Sequence, residues 1–196
     1  RSAAPELFAG LPPAGTSFAI FAAANGLGLG ISAATRWHYH LDLIGTGVFA
    51  ISALVLRGTT LAQQCSAGAV ALWATKLASF LFYRALKMKH DARLDETLST
   101  FSGQFGFWLI SFMWGWVVSL PHTLAASVPM AERPAFGALH RGGLAMFGLG
   151  LCLETAADLQ KWIFKADVAN KGKFCDVGVW RLCQHPNWFG NLLLWT

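Results

Sequence analysis

The sequence predicts an all-α, polytopic transmembrane helical bundle with five complete spans and the start of a sixth. Three observations predict it. Hydrophobic residues make up 55% of the 196 and charged residues 13%, about half the roughly 25% charge of a soluble domain. Long apolar runs recur between short loops that hold most of the Lys and Arg. No run alternates with the period of a barrel strand, and a helix satisfies its own backbone in lipid. Nine Trp and fifteen Phe add the aromatic side chains that gather at a membrane boundary.

Residues 1–15, with Pro5, Gly10, Pro12, Pro13 and Gly15, read as a non-helical entry to a single membrane domain over 1–196. Span one is expected over about 18–34. Inside it Gly26-Leu27-Gly28-Leu29-Gly30 has the outline of a dinucleotide loop, but no strand precedes it. Gly26 and Gly30 read better as a small-residue face for close helix packing. Span two covers about 41–56, span three 65–83, span four 105–125 with Trp108, Trp114 and Trp116, and span five about 136–164. A sixth opens near Trp188. Each approaches the roughly 20 residues that cross a bilayer, the first two falling short.

If the spans alternate, one face carries Arg36, Arg84, Lys87, Lys89, Arg93, Lys161, Lys165, Lys171, Lys173 and Arg181. The other carries Arg1, Arg57, Arg133 and Arg141. This asymmetry places the loops after spans three and five together on the cytosolic, stromal or matrix side. The net charge of +5 therefore reports orientation, and no basic run resembles a nucleic-acid patch. Cys65, Cys152, Cys175 and Cys183 lack zinc-type spacing and read as small hydrophobes or free thiols, a Cys175–Cys183 disulfide being the alternative. No metal site is expected. An opening Arg1 without Met reads as a processed or partial chain. His38, His40, His122 and His140 read as boundary residues at span ends.

Chemistry concentrates in two basic segments. Residues 83–93 offer Arg84 and its neighbours as phosphate ligands or as a cationic anchor. After span five, Glu154 and Asp158 share a helical face, where carboxylates are costly, and Lys161 and Lys165 continue it, placed to neutralise them. Asn170 to Lys173 make a polar turn in which Gly172 allows close backbone approach. In a folded site Arg181 and Lys171 would bind phosphate, Asp158 and Asn170 would orient it, and His185 would approach a cofactor ring. Spacing alone leaves open a charged loop tied by internal ion pairs. His185-Pro186 also fits a helix start, since a first-turn Pro loses no hydrogen bond.

Residues 72–196 resemble the DUF1295 family of steroid 5-alpha-reductase-like membrane proteins, similar also to isoprenylcysteine methyltransferases and sterol reductases. The resemblance rests on Trp73, Leu81-Phe82-Tyr83-Arg84, Asp91, Arg93, Ser119-Leu120-Pro121, Glu154, Ala157-Asp158 and Gln160-Lys161. It continues through Phe164-Lys165, Asn170-Lys171-Gly172-Lys173-Phe174, Gly178, Trp180, His185-Pro186-Asn187 and Phe189-Gly190. It implies a multi-helix fold with an NADPH site on the cytosol-like face. The candidate cofactor residues are Arg84, Asp158, Lys161, Asn170, Lys171, Arg181, His185 and Asn187, and no catalytic residue is assigned. The family pattern places Arg before the His-Pro pair, Tyr two residues after it and Glu after the closing Gly. This chain has Gln184, Trp188 and Asn191 there.

Those departures favour a degenerate relative kept as a non-catalytic structural subunit of a larger membrane complex. An organellar photosystem–antenna assembly is one setting, with lipid, chlorophyll or carotenoid contacts and other membrane subunits as partners. The alternative is an NADPH-dependent reductase of a steroid, polyprenyl or fatty substrate. Under either, the expected location is an organellar membrane, the thylakoid being one setting, or the endoplasmic reticulum.

Overall fold

A computed structural model describes residues 10–88 and 92–196, the side chains of Ala92, Arg93 and Asp95 excepted. Seven α-helices account for it, with no strand among the described residues: α1 (Pro13–Thr35), α2 (Leu41–Val55), α3 (Leu61–Met88), α4 (Ala92–Leu98), α5 (Phe101–Ser127), α6 (Ala138–Ala166) and α7 (Pro186–Trp195). Short 3-10 turns lie at Met130–Glu132, Val168–Asn170 and Gly178–Arg181. Helices α1, α3, α5 and α6 are long and apolar enough to cross a membrane. At about 1.5 Å per residue, the 15 residues of α2 rise about 22 Å, short of the ~30 Å hydrocarbon core. Four of the five expected spans thus reach full length.

The chain divides into two compact units, residues 1–133 and 134–196. In the first, α2 packs on α1, α3 and α5. Its buried residues Leu41, Val48, Phe49, Ser52 and Ala53 recur at helical spacing. Phe49 meets Phe21 and Trp73 edge to face, ring centres 5.0 and 5.4 Å apart, the arrangement the ring quadrupoles favour. Where a bundle core excludes water, polar groups pair. Ser52 donates to Ser17 at 3.2 Å, Ser17 and Ser119 share a 3.3 Å hydrogen bond, and His122 Nδ1 pairs with Ser66 at 2.9 Å.

Trp108, expected within the Trp-rich fourth span, is 2% exposed and donates its indole N–H to Ser32 at 3.1 Å. His40, 4% exposed, is stacked between Trp37 and Trp108 and bonds the Gly28 carbonyl at 3.0 Å. His40 and His122 are therefore buried packing residues, because a ring with two polar atoms and two flat faces can join helices. His140 instead caps α6, its Nδ1 accepting from the Gly137 N–H at 3.2 Å.

The glycine face is also corrected. Gly26 and Gly30 are exposed, and a Cβ on either would meet nothing within 4 Å. Gly28 is the close contact: a Cβ there would overlap the Trp108 ring.

Element ends follow local chemistry. The expected entry segment ends early, since Pro13 is the first helical residue of α1, a position that suits proline. Residues 83–88, expected as loop, continue α3, being rich in Arg, Ala, Leu, Lys and Met, all good helix formers. Lys89, His90 and Asp91 of that segment lie outside the described residues. Thr100 caps α5, accepting from Gly103 N–H at 3.2 Å. Arg133 donates to the Ala126 and Val128 carbonyls and to Gln63, a cation on the carbonyl end of α5.

In the second unit α7 packs antiparallel on α6. The contact is backbone-close, since a Cβ on Gly190 would come 2.6 Å from Glu154 N and one on Gly150 would come 2.6 Å from Gly190 O. Two glycines facing each other let the helices touch.

Candidate functional site

The segment between α6 and α7 folds over the carboxyl end of α6. At about 1.5 Å per residue, the 29 residues of α6 rise about 44 Å, longer than the ~30 Å hydrocarbon core, so a membrane-spanning α6 carries Lys161 and Lys165 out of it. Asn170 to Lys173 close a type II turn: Lys171 has φ −59° and ψ 128°, Gly172 has φ +79°, and Lys173 N–H donates to Asn170 O at 3.1 Å. The positive φ explains the glycine. Asn170 Nδ2 donates to the Phe164 carbonyl at 3.1 Å and so caps α6.

Gln160 accepts from Val179 N–H at 2.9 Å, against Gly178, which has φ +52°. A side chain at 178 would overlap the Gln160 amide. Trp180, 9% exposed, donates its indole N–H to the Ala157 carbonyl at 2.8 Å. Lys161 Nζ lies 4.6 Å from the Trp180 ring centre, a cation–π distance. Lys165 donates to the Lys173 carbonyl, and Arg181 Nε donates to the Asp176 carbonyl at 2.9 Å. His185 ends the segment immediately before Pro186, the first residue of α7, as the helix-start reading expects.

These contacts shape a cleft of ≈ 680 Å³ lined by Lys161, Lys165, Phe174, Cys175, Trp180, Arg181, Cys183, Gln184 and His185. Of the eight candidates, Lys161, Arg181 and His185 share it. Asn170 and Lys171 belong to the turn beside it. Asp158 accepts from Asn187 Nδ2 at 3.3 Å on the α6–α7 contact. Arg84 lines a pocket of ≈ 90 Å³ in the first unit with His38, Tyr39 and Asp42. Cys175 and Cys183 are free thiols, as are Cys65 and Cys152, and none is buried.

Of the three departures from the family pattern, only Gln184 lines the cleft. Trp188 is 73% exposed. Asn191 Nδ2 donates to Glu154 Oε1 at 3.0 Å, and Glu154 is 3% exposed. The sequence reading missed Gln160 and Trp180 as organisers of the cleft. The signal was present, since both belong to the quoted family motif and Trp180 carries an N–H that a buried position must satisfy.

The family described as protein of unknown function (DUF1295) matches residues 29–196. No curated protein and no solved structure matches the chain.

Proposed function

We propose that this chain, which belongs to the DUF1295 family, serves as a non-catalytic integral membrane subunit of a larger membrane assembly. The observation that carries the reading is what the α6 carboxylates hold. Glu154 accepts from Asn191 and Asp158 from Asn187, so both brace α7 against α6. A buried carboxylate such as Glu154 is costly to desolvate and needs hydrogen bonds to be tolerated, and the Asn191 amide supplies one. The resemblance would place Glu at position 191, opposite Glu154, and Arg at 184, in the cleft. Here the first position packs helices and the second has no charge. The basic segments face cytosol, stroma or matrix in this reading, and the apolar helix faces meet lipid, pigment or neighbouring subunits.

The cleft favours one second reading, an NADPH-dependent reductase of a lipophilic substrate. Lys161, Lys165, Arg181 and His185 around ≈ 680 Å³ fit a phosphate-bearing cofactor in size, since cofactor sites run to roughly 300–1,000 Å³. The cofactor would carry the hydride chemistry, and these side chains would hold its phosphates. The deciding experiment is NADPH titration of the full chain in mild detergent, followed by calorimetry. The subunit reading expects no saturable binding up to about 1 mM, the upper end of ordinary enzyme affinities. Saturable micromolar binding would overturn it in favour of the reductase.

A further inference from the structure

The geometry points to the cleft of the α6–α7 segment as a seat for the phosphate of an anionic phospholipid, with the rim of the cleft set into the acyl layer. The inference stands on the cleft and its rim and goes with the subunit reading, since the reductase reading would place NADPH in the same cleft.

Charge is the first element. Residues 161–185 carry Lys161, Lys165, Lys171, Lys173 and Arg181 against Asp167 and Asp176. Asp167 is occupied in part as a cap, accepting from Ala169 N–H at 2.9 Å. Four to eight cations beside a membrane helix suffice to hold anionic headgroups, each contributing on the order of 1 kcal/mol near the surface. Here they are not scattered: Lys161, Lys165, Arg181 and His185 line one concavity.

The rim is the second element. Phe174 lines the cleft and is 93% exposed, and Leu182, between the lining residues Arg181 and Cys183, is 82% exposed; both lie between α6 and α7 rather than on a span. Large apolar side chains this exposed at the mouth of a charged cleft are suited to a contact surface. The segment leaves a membrane-length helix at Ala166 and enters the apolar α7 at Pro186, so both its ends lie at the boundary. There these side chains reach acyl chains while the lysine stems keep their charges at headgroup level. Phe174 lines the cleft itself, placing an apolar group against the phosphate seat. Inorganic phosphate or a simple sugar phosphate has no use for such a rim; a phospholipid does.

The test uses the full chain in mild detergent, with bound lipid counted by native mass spectrometry. Phosphatidylglycerol and phosphatidylcholine are titrated separately, and glycerol 3-phosphate and NADPH are offered as competitors. Phosphatidylglycerol is expected to be retained over phosphatidylcholine, and less so at high salt. The pair Lys165→Gln and Arg181→Gln is expected to weaken it about 25-fold, at about fivefold per cation. Lys165→Arg keeps the charge and is expected to retain binding. Phe174→Ser with Leu182→Ser is expected to weaken the lipid and leave glycerol 3-phosphate unchanged. Equal retention of the two lipids overturns the proposal, and requires no variant to fold. Displacement by micromolar glycerol 3-phosphate or NADPH, with the serine variants indifferent, overturns it in favour of a soluble phosphate compound.

Discussion

Gly28 and Gly26 sit two residues apart on one helix and differ in what a single methyl group would cost. Gly28 faces the Trp108 ring, whereas Gly26 faces open space. Gly28→Ala is expected to lower stability by about 1–3 kcal/mol, the usual cost of overpacking. Gly26→Ala is expected to be neutral or to stabilise by up to about 1 kcal/mol through helix propensity. Unfolding in mixed micelles, followed by Trp fluorescence, separates them. The repeat of small residues was legible in the sequence, but which member of it met a neighbour was not. That choice depends on the rotation of α1 about its axis, which a helix apolar on all sides leaves unmarked. Gln184 is the converse case. Its departure from the family pattern was legible, and it proves to line the cleft. Gln184→Arg is expected to strengthen binding of an anionic ligand about tenfold or more, a charge-assisted hydrogen bond being worth about 1.5–3 kcal/mol. Isothermal titration with the ligand that the wild-type cleft retains measures the gain.

Between elements, the α6–α7 contact concentrates the most information in the fewest residues. Gly150 and Gly190 bring the backbones together, and Asn187 and Asn191 reach the carboxylates on either side of that contact. Gly190→Ala would push against the backbone of α6, which cannot yield as a flexible side chain does. It is expected to cost about 1–3 kcal/mol and to speed tryptic cutting within the Lys- and Arg-rich 167–185 segment. Gly148→Ala, with nothing within 4 Å, is the control expected to leave the cutting rate unchanged. Asn191→Leu removes the amide that donates to buried Glu154 and is expected to cost about 1–3 kcal/mol, read by the same digestion. Both carboxylates were legible as costly groups on one helical face. Their expected neutralisers were Lys161 and Lys165, yet those lysines reach Trp180 and the Lys173 carbonyl. The amide partners come from a helix about 30 residues later, and local spacing says nothing of that distance. The ends of α3 were misplaced for a simpler reason. Apolarity marks where the bilayer ends, while helix propensity continues through Arg84-Ala85-Leu86-Lys87-Met88.

Taken whole, the chain was most legible in its coarsest feature. Composition and run length gave an all-helical membrane bundle, and the closing motif gave the family that matches residues 29–196. The candidate site was legible as a segment and only in part as a set of residues. Lys161, Arg181 and His185 share the cleft, while Asn170 serves the helix end and Asp158 and Asn187 serve the helix contact. A polar residue near a charged loop can bind a ligand or satisfy backbone, and only the fold assigns it. The long helices bury little within the chain: 28% or less of the most apolar window of each. Side chains such as Leu27, Leu72, Ile110 and Leu149 stand exposed on them, faces that suit lipid or a neighbouring chain.

Native size separates a subunit of an assembly from a free-standing enzyme. Membranes containing the tagged chain are extracted in mild detergent and sedimented on a gradient, with absorbance recorded in each fraction. The account predicts that the chain travels with a large assembly whose other subunits appear in the same fraction. A small detergent particle holding this chain alone would contradict it.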